Sequence, residues 1–232
     1  MIRDNILAVR KRIDAAITKR SEAKITGNNV TLVAVTKNHD VSVIHEVASL
    51  GILNIGENKV QEAFAKKNIS EAHNTIWHLL GHLQTNKVKQ AVNIFDVIES
   101  VDSQKVMQAI NKAAHNLDKV QDVLLQINLT GEEQKSGFSI EEYEDILPLL
   151  ATYDHIKVRG LMIIAQQTER VEETRITFKK GYELFCSLQA KVGKQVDMLS
   201  MGMTHDYWVA VEEGANYVRI GTAIFGARDY SK

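Results

Sequence analysis

The feature that most constrains the fold of this chain is a regular alternation of short apolar runs with amphipathic segments. Eight runs are typical of strands, and the segments between them carry apolar residues at helical spacing. This alternation predicts right-handed βαβ units and a parallel sheet, and eight units within 232 residues predict a closed (β/α)8 TIM barrel. The predicted strands cover residues 31–37, 52–58, 75–81, 94–101, 122–128, 156–164, 197–203 and 217–221.

An additional helix is predicted at the N-terminus, before the first strand. Ile6, Val9 and Ile13 recur at helical spacing, which predicts an amphipathic helix over residues 2–22. Little chain follows the eighth strand, so we expect this helix to fill the gap left in the outer ring. No composition shift or proline-rich linker divides the chain, and we therefore expect a single domain over residues 1–232.

Local signals predict where two of the helices begin and where one is interrupted. Asn58 with Gln61 is typical of a capping pair, and Ser139 with Glu142 forms a capping-box pattern. Pro148 is the only proline and lies inside the helical pattern that follows Ser139. We expect it to kink or shorten that helix, because proline lacks an amide hydrogen and clashes with the preceding turn.

Charge and cysteine content exclude several classes of protein. The formal net charge of −1 provides no basic field that would favour nucleic acid or an anionic membrane. No apolar run approaches the length of a membrane span, and the N-terminus lacks the apolar core of a signal peptide. The single cysteine, Cys186, excludes an internal disulfide and fits a reducing compartment. We expect a cytoplasmic protein that binds neither nucleic acid nor membrane.

The loops after the seventh and eighth predicted strands are candidates for phosphate binding. In TIM barrels the active face is the carboxyl end of the strands, and these two loops commonly bind phosphate. Here they contain Thr204, Gly221 and Thr222. The threonines offer hydroxyl donors, and the glycine lets backbone amides approach an anion without a Cβ in between. The pattern favours a phosphate site, although such residues are also typical of a tight turn.

A lysine ends the first predicted strand, residues 31–37, at the same face of the barrel. A lysine at a strand end often packs its stem while its ammonium group reaches water. In a closed barrel, however, strand one lies next to strand eight, so Lys37 would face the candidate phosphate site. This placement indicates either charge pairing or a Schiff base with a phosphorylated aldehyde.

Arg219 is a second cationic candidate at this face. It lies two residues before Gly221 on the eighth strand, so the two share a face and Arg219 can point into the barrel mouth. The alternative is an ion pair inside the barrel, for instance with Glu57 or Glu99.

Metal binding and a general base find less support. His78 and His82 share a strand-like spacing, but no H-E-x-x-H helix and no nearby cysteine accompany them, so no metal site is predicted. Glu57, Glu62 and Glu99 could act as general bases, yet no carboxylate pair is isolated enough to assign.

Seven motifs follow one another over essentially the whole chain. They are VAVTK at 33–37, IGENKVQE at 55–62, HLLGHLQTNK at 78–87, KSG at 135–137, RGLM at 159–162, LSMGM at 199–203 and VRIGTAIFGAR at 218–228. Together they resemble the pyridoxal-phosphate homeostasis protein family. The resemblance implies an α/β protein with a single barrel of the alanine-racemase type, PLP fold type III, that binds pyridoxal 5′-phosphate (PLP).

The resemblance also implies which residues form the cofactor site. Its residues are Lys37 as the Schiff-base lysine, Arg219 facing the pyridine nitrogen, Thr204, Gly221 and Thr222 around the phosphate, and Asn58 beside the cofactor. Thr204 stands where serine is usual, which keeps the hydroxyl. His205 stands where an acidic residue or alanine is common, and nothing in the sequence explains this departure.

The function implied by the resemblance is cofactor supply and amino- and keto-acid balance, without a clear catalytic activity. An arginine at the pyridine nitrogen disfavours protonation of the ring and so weakens it as an electron sink. Alanine racemase takes its second base, a tyrosine, from an additional β-domain of the partner subunit, and this sequence contains no such domain. We therefore expect a non-catalytic, monomeric PLP binder that hands its cofactor to apo PLP-enzymes.

Two other functions remain open. One is a PLP-dependent amino-acid racemase or lyase that uses His205 or Tyr207 as its base. The other is a cofactor-free phosphosugar enzyme in which Lys37 attacks the substrate directly.

Overall fold

Eight parallel strands close into a barrel in the computed structural model, which describes residues 1–132 and 135–226. Each strand pairs with the next, and the eighth pairs with the first. The strands are β1 (Thr31–Val35), β2 (Asn54–Glu57), β3 (Ile76–Leu79), β4 (Val97–Val101), β5 (Gln121–Ile127), β6 (Ile156–Ile163), β7 (Met198–Met203) and β8 (Tyr217–Ile220). The predicted (β/α)8 barrel is confirmed.

The helices surround the barrel, and the N-terminal helix completes the ring. They are α1 (Ile2–Thr18), α2 (Ser42–Ser49), α3 (Val60–Ile69), α4 (Val88–Ile94), α5 (Gln104–Asn116), α6 (Ile140–Ile146), α7 (Thr174–Val192), α8 (Tyr207–Glu212) and α9 (Thr222–Phe225). Helix α1 packs against α8 and α9, as the prediction of a gap beside strand eight requires. None of the helices in the described ranges is both long and apolar enough to cross a membrane.

Buried apolar side chains form two separate clusters because strand side chains alternate between the two faces of the barrel wall. The larger cluster lies between the strands and the helices. The smaller one fills the interior and consists of Val35, Leu80, Val97, Leu124, Met162 and Met198. Polar side chains from β3, β4, β7 and β8 are buried beside it. The barrel interior is therefore a packed core rather than a pore.

Two of the three local predictions hold. Ser139 caps α6 through its side chain, and Glu142 completes the capping box. Helix α6 ends at Ile146, and Pro148 lies in the first turn of a 3₁₀ helix, Leu147–Thr152, so the proline shortens the helix as predicted. The predicted capping pair at Asn58 is wrong, because the N-cap of α3 is Lys59 and no side chain caps that helix.

Two boundaries also differ from the prediction. Helix α1 ends at Thr18 rather than at residue 22. The chain just after it is held by Arg20, whose guanidinium donates to the carbonyl oxygens of Val211 and Ala215. Ala227 and Arg228, which end the last motif, lie outside the described residues. The single domain over residues 1–232 stays a prediction.

Candidate functional site

Lys37 lies in the turn after β1, at the barrel mouth. Strand β1 ends at Val35, two residues earlier than predicted, although the Thr36 amide still donates to the Gly56 carbonyl oxygen at 3.0 Å. Val35 belongs to the interior cluster and Thr36 faces the helices, so alternation directs the half-buried Lys37 toward the mouth. The following residue, Asn38, adopts a left-handed conformation with φ 61°, which turns the chain away from the barrel.

The three candidate phosphate residues meet at the carboxyl ends of the strands next to β1. Thr204 follows β7, and its hydroxyl oxygen accepts a hydrogen bond from the Ala223 amide at 3.3 Å. This bond joins the β7 loop to the first turn of α9, where Thr222 is exposed and Gly221 is the N-cap. The structure therefore brings together Thr204, Gly221 and Thr222, as predicted from the strand order.

Gly221 also lies directly beside β1. A Cβ added to this residue would be 3.4 Å from the Val35 carbonyl oxygen, which is an ordinary contact. Because glycine has no Cβ, a ligand can approach the backbone through the space that a side chain would fill, so these residues fit a phosphate group.

Arg219 lies inside the barrel, where only 3% of its surface is exposed. Its Nη1 donates to the Ser200 hydroxyl at 2.7 Å and its Nη2 to the Ile163 carbonyl oxygen at 2.9 Å. Burial lowers the pKa of the guanidinium, and the charges of Glu99 and Asp206 oppose that effect. The arginine therefore lies in the barrel interior, and its partner Ser200 belongs to an extended polar network.

This interior network runs from β8 to β2 across the barrel. The Ser200 hydroxyl donates to Glu99 Oε2 at 2.5 Å, and His78 Nδ1 lies 2.7 Å from Glu99 Oε1. His78 Nε2 lies 2.9 Å from Asn54 Oδ1. Burial would raise the pKa of the fully buried Glu99, but the hydrogen bond and charge of His78, the charge of Arg219 and the Ser200 hydroxyl outweigh it and lower that pKa. Of the two carboxylates proposed as partners of Arg219, Glu99 is therefore connected to it, through Ser200.

Asn58 lines a cavity of about 240 Å³ at the mouth, on the side of β2, β3 and β5. A Cβ added to Gly81 would lie 2.2 Å from the Asn58 carbonyl oxygen, so glycine is needed there for the two loops to approach. His82, which also lines the cavity, places its Nδ1 2.6 Å from Asp102 Oδ2. This pair was not predicted from the sequence, because its members are separated by 20 residues.

A buried ion-pair cluster behind Lys37 was also missed. Lys66 on α3 donates to Glu57 and Glu62, and each of these two carboxylates contacts a residue next to Lys37. The signal was present in the sequence, since Glu62 and Lys66 are four residues apart on a helix that directly follows a strand. Its connection to Lys37 could not be read from that spacing.

The two candidate bases occupy different environments. His205 is exposed and lines a cavity of about 510 Å³ together with Met203 and Thr168. Tyr207 is buried on α8, where its ring contacts Trp208 and lies near the guanidinium of Arg12 on α1. Tyr207 thus faces the outer helix rather than the mouth. Among the residues that the structure describes, no three His, Cys, Asp or Glu side chains cluster as metal ligands.

Comparison with known sequences shows relatives over the full chain. A protein named pyridoxal phosphate homeostasis protein from Pasteurella multocida is 37% identical over 238 residues, which cover 100% of this chain and 99% of the relative. A protein of the same name from Aquifex aeolicus is 38% identical over 220 residues, with 94% and 96% covered. The sequence family described as alanine racemase, N-terminal domain, matches residues 11–229.

Comparison with solved structures agrees. PipY of Synechococcus elongatus, solved with PLP bound, is 34% identical and has a TM-score of 0.83, with 97% of this chain and 100% of PipY covered. An alanine racemase of Clostridium difficile has a TM-score of 0.70 at 15% identity, with 94% of this chain and 56% of the racemase covered, so it shows the shared fold alone. The chain therefore belongs to the pyridoxal phosphate homeostasis protein family, within the wider family of alanine racemase N-terminal domains.

Proposed function

We propose that this protein binds PLP through Lys37 and acts in PLP homeostasis by holding the cofactor and delivering it to other proteins. The observation that carries the proposal is that β7, β8 and β1 are neighbours in the barrel, with Lys37 after β1 and with Thr204, Gly221 and Thr222 after the other two. The names of the relatives and the PLP bound to PipY support the same ligand.

Each end of the cofactor has its own set of residues. The hydroxyls of Thr204 and Thr222 and the backbone at Gly221 would hold the phosphate, with Asn58 beside the ring. The Lys37 amine would add to the aldehyde carbon with loss of water, which gives a Schiff base. When bound, PLP supplies an aldehyde that amines can exchange on and a ring that accepts electrons.

Arg219 supports a holding role over a catalytic one. Its guanidinium is fixed in the interior by Ser200 and the Ile163 carbonyl oxygen, and an arginine remains a cation in proteins. A fixed cation at the pyridine nitrogen would disfavour protonation of the ring, which makes the ring a weaker electron sink. We infer that the protein binds PLP without catalysing a reaction of its own.

The proposed function also includes a cellular compartment, an oligomeric state and acceptor proteins. We infer a cytoplasmic protein, since the single cysteine, Cys186, is a free thiol. We also propose a monomer, since the residues assigned to the site follow four strands of one barrel, β1, β2, β7 and β8. Apo PLP-enzymes would be its transient acceptors. The alternative of a racemase or lyase rests on His205 as its base, because Tyr207 faces α1.

The test is reduction with borohydride in the presence of PLP, followed by peptide mapping. We expect an absorption band in the visible range and an adduct on Lys37. Lys37→Ala should abolish both, whereas Lys59→Ala, which removes an exposed lysine from the same face, should leave both intact. An adduct on another lysine would contradict the proposed site, and a protein without the band would favour the cofactor-free enzyme.

Catalysis is tested separately, by incubating the PLP-loaded protein with the twenty amino acids in both configurations. We expect turnover near background, because a positioned acid or base typically contributes about 10²–10⁴-fold and no second base faces Lys37 among the residues assigned here. A robust rate that Lys37→Ala abolishes would show that the protein is an enzyme.

A further inference from the structure

The buried cluster behind Lys37 consists of one lysine and two glutamates on the outer face of the barrel wall. The Lys66 ammonium donates to Glu57 Oε1 at 2.7 Å, to Glu62 Oε1 at 2.8 Å and to the Thr36 carbonyl oxygen at 2.7 Å. Lys66 is 7% exposed and Glu57 is fully buried. All three donor hydrogens of the ammonium therefore have acceptors, and one of these acceptors is the carbonyl of the peptide bond that precedes Lys37.

The cluster holds the chain on both sides of Lys37. Before it, the Thr36 hydroxyl donates to Glu57 Oε1 at 2.6 Å. After it, the Asn38 amide donates to Glu62 Oε1 at 2.5 Å. These bonds fix a turn in which Asn38 has a φ of 61°, a conformation that costs a non-glycine residue energy unless its surroundings impose it.

Stability alone is a poor explanation for these buried charges. Removing ions from water is costly, and replacing a buried pair by apolar residues is often neutral or stabilising. The cluster is also imperfectly satisfied, because Glu57 Oε2 is buried and has no hydrogen-bond partner within residues 1–132 and 135–226. Burial accordingly raises the pKa of Glu57, although Lys66 and Thr36 act in the opposite direction. A cluster that is costly and is connected to both neighbours of Lys37 points to a positioning role.

We propose that Lys66 and Glu62 are positioning residues for Lys37, holding the two peptide units that flank it so that its amine is presented to the ligand's aldehyde. The proposal rests on the proposed function, since it assumes that Lys37 reacts with PLP. It assigns no contact between Lys66 and the ligand, because Lys66 lies on the outer face of the wall with Glu57. The residues that hold the phosphate are outside the cluster.

The test compares PLP with pyridoxine 5′-phosphate, which carries an alcohol in place of the aldehyde and so depends on the phosphate and ring contacts alone. Lys66→Met removes the ammonium and keeps a long side chain. We expect it to weaken PLP by roughly tenfold or more, the equivalent of one lost charge-assisted hydrogen bond, and to change pyridoxine 5′-phosphate less than about twofold. Lys67→Met, at the adjacent and partly exposed position of α3, is the matched control and should change neither ligand.

A second variant keeps the proposal falsifiable if Lys66→Met fails to fold. Glu62→Ala introduces the best helix former and leaves Lys66 paired with Glu57 and the Thr36 carbonyl oxygen. It removes the acceptor of the Asn38 amide together with one of the three acceptors of Lys66. It should weaken PLP selectively and speed hydrogen exchange of the Asn38 amide in the ligand-free protein. Equal losses for both ligands, or no loss for PLP, in the variant that folds would overturn the positioning role. Failure of the wild-type protein to form a borohydride-stable adduct on Lys37 would instead overturn the proposed function.

Discussion

Replacing Arg219 by methionine is the sharpest test of the interior network. Methionine keeps much of the length and removes the donors to Ser200 and to the Ile163 carbonyl oxygen. The fully buried Glu99 also loses the charge of Arg219, which lowers its pKa. Breaking a buried charge network by removing one member typically costs about 3–5 kcal/mol. A chain of this size loses roughly 2–4 °C in Tm per kcal/mol, so we expect Tm to fall by roughly 10 °C.

Urea unfolding of the ligand-free protein, followed by circular dichroism, measures this loss. Lys112→Met, on the exposed face of α5, is the control and should change the free energy of unfolding by less than about 0.5 kcal/mol. The double variant with Glu99→Gln should lose at least about 0.5 kcal/mol less than the sum of the single losses, since both changes remove charge from one network. A loss below about 1 kcal/mol for Arg219→Met, or strict additivity, would refute the network.

Three further predictions concern the backbone and the pH dependence of stability. Gly160→Ala would place a Cβ 1.8 Å from the Met198 carbonyl oxygen at a φ of 152°. We expect it to lower the free energy of unfolding in urea by more than about 3 kcal/mol. Gly193→Ala, where nothing lies within 4 Å of the new Cβ, is the control and should lower it by about 1 kcal/mol. Gly81→Ala should weaken PLP binding, measured by titration, because the Asn58 carbonyl must move from its 2.2 Å distance to the new Cβ. Burial raises the pKa of Glu57 above the usual 4.5, so the folded state binds the carboxyl proton more tightly than the unfolded state does. The free energy of unfolding should therefore fall as the pH rises from 4.5 through the raised pKa. Urea unfolding of Glu57→Gln across this pH range should not show this loss.

The barrel could be predicted from the sequence because its strands are covered on both faces. Such strands must be almost continuously apolar, and their alternation with helical patterns leaves few topologies. The strand order also predicted that β1 lies next to β8, and the end of β1 does lie beside Gly221. The ends of the helices were harder to predict. Helix α1 stops at Thr18, and Arg20 then finds its acceptors about 190 residues later in the chain, at the end of α8 and just after it.

Partners that are distant in sequence account for what the sequence did not reveal. Lys66 reaches the Thr36 carbonyl oxygen across 30 residues, and His82 meets Asp102 across 20. Asn58 matched a capping pattern, but the chain at Lys59 is extended and the helix begins without a side-chain cap. A short polar motif indicates which hydrogen bonds a side chain can make, whereas the tertiary structure determines which of them form.

The two charged networks lie on opposite faces of the barrel wall, and strand β2 shows why. Along this strand Asn54 accepts from His78 in the interior, while Glu57, three residues on, pairs with Lys66 among the helices. An odd separation along a strand places two side chains on opposite faces. The interior network therefore fixes Arg219, and the outer cluster holds the turn at Lys37, with no residue in common. On the proposed function, the ring and the aldehyde of the cofactor would then be held by independent supports, so that the bond to Lys37 can break and reform during transfer while the arginine and the phosphate site stay in place.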